Sequence, residues 1–228
     1  MSAPDPTPAH IAFFREHGWL AVPDGVSAED LDAIEARCVR LRDDPDRYGL
    51  RMAEGVDQGR VLQSMLELVW LDWKSAPFFG WVQRFAEALV GAPLRLWYNQ
   101  LLDKPPLNGA PTEWHQDGAF LGDGVGQRLI SCWIPMRAVD LDSGCMHFLD
   151  RGHTDGVLHH ARLADRDCAF GPCEVDPTRV VACPLPRGGV TFHHGLTPHM
   201  TLRNRSDAWR QVVIMRFFQG DPPGTQRS

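Results

Sequence analysis

After Gly91 the chain breaks into short β-rich runs: LRLWYNQLL (94–102), RLISCWIPMRAV (128–139), CMHFL (145–149), RVVAC (179–183), GVTFHH (189–194), HMTLRN (199–204) and RQVVIMRFF (210–218). The segments between them are rich in Gly, Pro, Asp and Asn, the residues that supply turns. No internal repeat or low-complexity segment interrupts the series. The pattern predicts a mainly β fold with an antiparallel core, a jelly-roll or related barrel in place of a parallel α/β sheet.

The first third reads differently. A helix is expected over about 7–17, and GWLAV after it is a short strand candidate. Ser27-Ala28-Glu29-Asp30 resembles a capping box that opens a second helix, with Leu31, Ile34, Cys38 and Leu41 on one face. A third fits PFFGWVQRFAEALVG: Pro77 in the first turn, Phe78, Trp81, Val82, Phe85 and Leu89 at helical spacing, Gly91 as terminator. The aromatic stripe reads as core.

At 228 residues the chain has the length of one domain, expected over 1–228, with loose tails at about 1–8 and 220–228. A net charge of -6 and a pI near 5.9, with no run of basic residues, give no footprint for nucleic acid or an anionic membrane. No apolar stretch approaches the roughly 18 residues of a membrane helix, and the N-terminus lacks the order of a secretory signal. These features predict a cytoplasmic protein whose partner is a small molecule; they say nothing of its oligomeric state. The six cysteines contain no C-x-x-C. Cys168, Cys173 and Cys183 cluster, but at no spacing that defines a zinc site or a disulfide framework.

The chemistry begins at WHQDGAF, 114–120. In an extended segment residues two apart point the same way, so His115 and Asp117 can converge while Gln116 turns aside. A site that activates oxygen at non-haem iron uses two His and one carboxylate on one face. The pair alone is weak evidence among ten histidines and 29 acidic residues, and His153-Thr154-Asp155 repeats the pattern. His115 is favoured because an extended loop and β runs surround it, whereas His153 follows a turn. A third ligand must come from another strand, with His193, His194 and His199 as candidates. His199 is distinguished by Arg210, eleven positions later, a suitable bidentate partner for the distal carboxylate of a dicarboxylate.

Together, WHQD (114–117), CWIPM (132–136), GCMHFLDRGH (144–153) and FHHGLTPHMTLRNRSDAWR (192–210) resemble the phytanoyl-CoA dioxygenase family of Fe(II)/2-oxoglutarate oxygenases. The last block is the specific one, with Thr201, Asn204, Ser206 and Arg210 at offsets 2, 5, 7 and 11 from His199. The resemblance spans roughly 10–220. It implies a double-stranded β-helix (jelly-roll, cupin-like) core with N-terminal flanking helices, Fe(II) held by His115, Asp117 and His199, and 2-oxoglutarate anchored by Arg210 and Thr201, with Trp133 lining the same pocket. It also makes the segment ending in His153 a separate element. Thr201 stands where Ser is common, which preserves the anchoring hydroxyl; Asp150-Arg151 departs from the family's usual Pro-Gly and the chain is short, which together make phytanoyl-CoA itself a poor substrate expectation.

The resemblance further implies that O2 and 2-oxoglutarate are consumed to give succinate and CO2 while a substrate C–H bond is oxidised, hydroxylation being the default and natural-product tailoring a fitting context. Epimerisation, desaturation and ring closure share the same chemistry. An intact Asp117 argues against halogenation, since related halogenases carry a small residue there. Gln100 is expected to touch 2-oxoglutarate, and Trp97, Asn99, Phe120 and Arg137 to line a substrate pocket of aromatic and polar groups. Gly122, Gly124 and Gly126 suggest a mobile loop over it. His193 and His194 read as structural, and the sequence assigns no role to His147, His159 or His160. A catalytically silent binding protein would have lost a ligand or the anchor, and all four positions are intact; a cupin-like isomerase or hydrolase has no use for Arg210.

Overall fold

The computed structural model describes residues 3–43, 51–54, 60–65, 76–121, 124–162 and 170–222. The starts of the first two helices are closed by side chains. The Thr7 hydroxyl accepts from the His10 amide at 3.2 Å and the His10 ring accepts from the Thr7 amide, a reciprocal cap on α1 (Pro8–His17). Gly18, at φ 78°, ends the helix and turns the chain into β1 (Trp19–Val22). Ser27 accepts from the Asp30 amide at 3.1 Å at the start of α2 (Ala28–Asp43), as its capping signal predicts. Leu31 and Ile34 of α2 are buried, while the side chains of Cys38 and Leu41 lie outside the described residues.

After β2 (Arg51–Glu54) and β3 (Arg60–Met65), α3 (Pro77–Val90) buries the expected stripe of Phe78, Trp81, Val82, Phe85 and Leu89 and ends at Gly91, φ 72°. Then follow β4 (Leu94–Lys104), β5 (Thr112–His115), β6 (Leu129–Pro135), β7 (Met146–Leu149), β8 (His160–Arg162), β9 (Phe170–Cys173), β10 (Val180–Cys183), β11 (Val190–His194), β12 (His199–Thr201) and β13 (Arg210–Gln219). Among the described residues every strand pairing is antiparallel. A larger sheet runs β1-β11-β6-β13-β4-β3-β2, a smaller one β10-β7-β12-β5, and β8 pairs with β9. This is the jelly-roll, cupin-like core expected from the strand pattern, with its helices at the N-terminal side.

The larger sheet separates two apolar layers. Leu101, Ile130, Cys132, Val190, Phe192, Val213, Met215 and Phe217 face the helices, where Phe85 stacks on Phe192 with centroids 5.1 Å apart. Truncating Phe85 to Ala would cost about 3–5 kcal/mol. Trp19, Trp133, Val212 and Ile214 face the smaller sheet and meet Met146, Phe148 and Cys183. Burial on both faces explains why β13 reads as a continuous apolar run. It also sets the site: alternation turns Arg210, Val212, Ile214 and Arg216 toward the interior between the sheets.

Several strands were not among the β-rich runs. β2, β3, β5, β8 and β9 are short, β9 contains Gly and Pro, and β5 follows a proline-rich stretch, so local composition hides them. The start of the chain also departs from the loose tail expected: the Trp81 indole donates to the Pro4 carbonyl at 2.8 Å and Ala3 packs on the core. Residues 223–228 lie outside the described ones. Among the described residues no helix is long and apolar enough to cross a membrane.

Candidate metal centre

β5 and β12 are neighbours in the smaller sheet, with His115 directly opposite His199. Each ring is oriented by a carbonyl two residues upstream: His115 Nδ1 lies 2.8 Å from the Glu113 carbonyl and His199 Nδ1 lies 2.9 Å from that of Thr197. A carbonyl only accepts, so Nδ1 carries the proton in both rings and Nε2 presents its lone pair. The Nε2 atoms stand 3.8 Å (His115) and 4.0 Å (His199) from Asp117 Oδ1. One ligand atom from each of His115, Asp117 and His199 falls within 4.8 Å of the others, the only such group found among the described residues. Burial lowers the pKa of both histidines, outweighing the Asp117 charge. Both are therefore neutral, the form that binds metal.

Asp117 is held from three sides. Oδ1 accepts from Arg216 Nη2 at 2.9 Å; Oδ2 accepts from the Ser131 hydroxyl at 2.6 Å and lies 3.3 Å from His193 Nε2. Burial alone would raise the Asp117 pKa, yet the Arg216 charge, with His193 and His199, keeps it well below the usual carboxylate range. Gln116 does turn aside, donating to the Gly156 and Leu196 carbonyls at 2.7 and 2.6 Å and accepting from the Leu158 amide at 2.8 Å. The turn beyond Asp117 needs glycine at 118, because a Cβ there would stand 2.7 Å from the Gly126 Cα and 3.0 Å from the Gly195 carbonyl oxygen.

A cavity of about 280 Å³ opens onto these ligands, its wall including Gln100, Leu102, Thr112, Trp133, Met146, Thr201, Ile214 and Arg216. Of the expected co-substrate residues, Gln100, Trp133 and Thr201 thus line it. Gln100 Oε1 also accepts from Arg216 Nη1 at 2.9 Å. Arg210 stands on the same face of β13, its guanidinium 5.7 Å from the centre of the Trp133 ring. It is buried, and its three nitrogens have no hydrogen-bond partner. Burial pushes its pKa down to about 10, against the Asp103 charge that raises it. Such a group is a ready receptor for a carboxylate. The spacing from His199 to Arg210 has a local cause: Asn204 Nδ2 donates to the carbonyls of Lys104, Pro105 and Ala208 at 3.1, 3.0 and 2.8 Å, and the Ser206 hydroxyl donates to Asn204 Oδ1 at 2.6 Å. This knot returns the chain to start β13 at Arg210.

The expected substrate set needs correction. Asn99 is buried opposite Met215, whose side chain faces the helices, so alternation turns it away from the cavity that Gln100 enters. Trp97 lies at the β4 irregularity and packs edge-on against Phe218, with centroids 6.1 Å apart, off the cavity wall. Arg137 is exposed and pairs with Glu35 at 2.8 Å on α2. Phe120 belongs to a 3-10 turn after Asp117, and its side chain lies outside the described residues, as does Gly122.

His193, structural by its sequence context, stands at the site: its ring centroid lies 4.3 Å from that of His199 and its Nε2 reaches Asp117. Alternation along β11, with Phe192 toward the helices, was the available signal. His194 points elsewhere, its centroid 5.5 Å from that of His153, and the His153-Thr154-Asp155 triplet forms no metal group. His160 Nε2 accepts from the Gln116 amide at 3.3 Å, His147 faces an outer groove with Trp114 and Met200, and His159 is exposed. Cys173 and Cys183 are buried free thiols, and Cys168 lies outside the described residues.

Comparison with known proteins decides the lineage: the family profile described as phytanoyl-CoA dioxygenase matches residues 14–212. The chain belongs to the phytanoyl-CoA dioxygenase family. Within that family it is 31% identical over 122 residues to phytanoyl-CoA dioxygenase domain-containing protein 1 of Mus musculus, an alignment covering 51% of this chain and 42% of that one. The chain thus spans less than half the length of this curated relative. Among solved structures, EvdO2 of Micromonospora carbonacea var. aurantiaca, complexed with 2-oxoglutarate, superposes with a TM-score of 0.76 at 26% identity, covering 98% of both chains. The epimerase SnoN, in complex with Fe3+, alpha ketoglutarate and nogalamycin RO, superposes with a TM-score of 0.74 at 21% identity, covering 96% of this chain and 91% of that one. At that identity the likeness to SnoN speaks for the fold alone.

Proposed function

We propose that this member of the phytanoyl-CoA dioxygenase family is an Fe(II)/2-oxoglutarate-dependent dioxygenase that oxidises a C–H bond of a small organic molecule. The observation that carries the reading is the His115, Asp117 and His199 group, with both imidazoles turned by backbone carbonyls so that Nε2 faces the carboxylate. Two His and one carboxylate on one face of a cavity match the donor set that non-haem Fe(II) takes. The unpartnered Arg210 guanidinium and the Thr201 hydroxyl suit the distal carboxylate of 2-oxoglutarate. When bound, iron with 2-oxoglutarate and O2 supplies an oxidant strong enough for an unactivated C–H bond, with succinate and CO2 released.

The chain's own tasks follow from its side chains. His115, Asp117 and His199 hold the metal; Ser131, His193 and Arg216 fix the carboxylate; Trp133, Leu102, Met146 and Ile214 keep water out. Hydroxylation is the default outcome, and epimerisation, desaturation or ring closure differ from it only in how the substrate is placed. Natural-product tailoring suits a cavity of this size.

The test is iron-dependent succinate formation from 2-oxoglutarate in air. The parent should release succinate slowly without any substrate, and His199→Ala should release none. Succinate release by the parent that is indifferent to iron, or none with metal bound, contradicts the reading. A substrate screen by accelerated succinate release, with product mass, then separates hydroxylation from the other outcomes.

A further inference from the structure

Lys104, the last residue of β4, was assigned no role by the sequence, yet it is one of the most deeply buried side chains described. It sits directly across the ladder from Arg210. Its Nζ lies 2.6 Å from the Thr201 hydroxyl oxygen, 3.0 Å from the Leu202 carbonyl and 3.4 Å from the Thr201 carbonyl. Three acceptors match the three protons of an ammonium. None of them is a carboxylate. The Arg210 guanidinium beside it has no hydrogen-bond partner. Two basic side chains are therefore buried side by side at the Thr201 end of the cavity, and burial, with the Arg210 charge, holds the Lys104 pKa well below the usual lysine range.

The geometry has a consequence for Thr201. With one lone pair of its hydroxyl taken by Lys104, the hydroxyl proton turns away from Nζ, and Thr201 lines the cavity. We propose that Lys104 is a positioning residue for the co-substrate: it fixes the Thr201 hydroxyl as a donor to the distal carboxylate that Arg210 pairs with, so that preference for a dicarboxylate is set by Lys104 as well as by Arg210. The inference rests on the 2-oxoglutarate reading above and extends it to a residue outside the cavity wall. A merely structural lysine, tying β4 to β12 through the two carbonyls, would not discriminate between ligands by their far end.

The experiment is anaerobic calorimetry on the Fe(II)-loaded protein with two titrants: 2-oxoglutarate, and 2-oxovalerate, which has the same chain length and lacks the distal carboxylate. Lys104→Met should weaken 2-oxoglutarate about tenfold, the effect of one lost charge-assisted hydrogen bond, and leave 2-oxovalerate within about twofold. Thr201→Val should do the same, and the double variant should be no weaker than Thr201→Val by more than about twofold, because both act by one route. Thr201→Val keeps Lys104 and its carbonyl partners and tests the same route should Lys104→Met not fold. Parent-like 2-oxoglutarate affinity in either variant, or an equal loss for both titrants, overturns the proposal. A parent that binds no 2-oxoglutarate overturns the underlying reading as well.

Discussion

Replacing Arg210 by Met should stabilise the ligand-free protein and at the same time remove its response to 2-oxoglutarate. Folding disfavours the charged form of Arg210: its pKa falls from 12.5 to about 10, chiefly through burial. The penalty is fully present below pH 10 and fades only above it, and corresponds to about 3 kcal/mol at neutral pH. Methionine fills similar volume without that charge. It loses the contact over the Trp133 ring at 5.7 Å, worth about 0.5–2 kcal/mol. The net gain is about 1–2 kcal/mol, or a melting temperature higher by about 2–8 °C for a domain of this size. Co-substrate binding should move the other way, since a bidentate carboxylate pair is worth about 3–4 kcal/mol, two to three orders of magnitude in Kd. Thermal melts of parent and variant, with and without 2-oxoglutarate, read both effects together. A variant that melts lower than the parent alone yet keeps its full upward shift with 2-oxoglutarate refutes the assignment.

Other expectations are equally specific. Asp117→Ala should abolish Fe(II) binding in calorimetry and cost about 3–5 kcal/mol in urea denaturation, because Arg216 is left buried without its carboxylate. Burial, with the His153 charge, lowers the His194 pKa to about 4. The neutral form is thus favoured by folding, and stability should fall as pH drops from about 6.5 to 4, by at most about 3 kcal/mol; His194→Gln should flatten that dependence in parallel urea melts. Arg137→Ala, which breaks an exposed pair with Glu35, should change stability by less than about 1 kcal/mol and leave succinate release at the parent rate. Gly118→Ala should lower the melting temperature and weaken iron binding, because its Cβ collides with the Gly126 backbone and moves the turn that carries Asp117.

The features legible in the sequence share a cause: each is governed by neighbours along the chain. Capping at Ser27, the aromatic stripe of α3 and the apolar run of β13 are local patterns, and the structure repeats them. The residues His115, Asp117 and His199 were reachable because strand geometry and a distinctive downstream motif point to them. What escaped depends on which strands lie side by side. Asn99 and Gln100 are adjacent, and only the pairing of β4 with β13 decides which enters the cavity. His193 belongs to the site because β11 lies beside β6, which brings it to Asp117 next to Ser131. Lys104 precedes two prolines and nothing local marks it as buried; its burial follows from facing Arg210 and Thr201. Arg137 shows the converse, a strand-end arginine that the second helix draws outward.

The measurement that bears most directly on the His115, Asp117 and His199 site is an anaerobic titration of the Fe(II)-loaded protein with 2-oxoglutarate, following the weak visible charge-transfer absorption of the chelate beside His199→Ala and Arg210→Met. The band should appear in the parent, be absent without His199 and require far more 2-oxoglutarate without Arg210. Bound iron that gives no band in the parent, or a band that survives the loss of His199, would contradict the site.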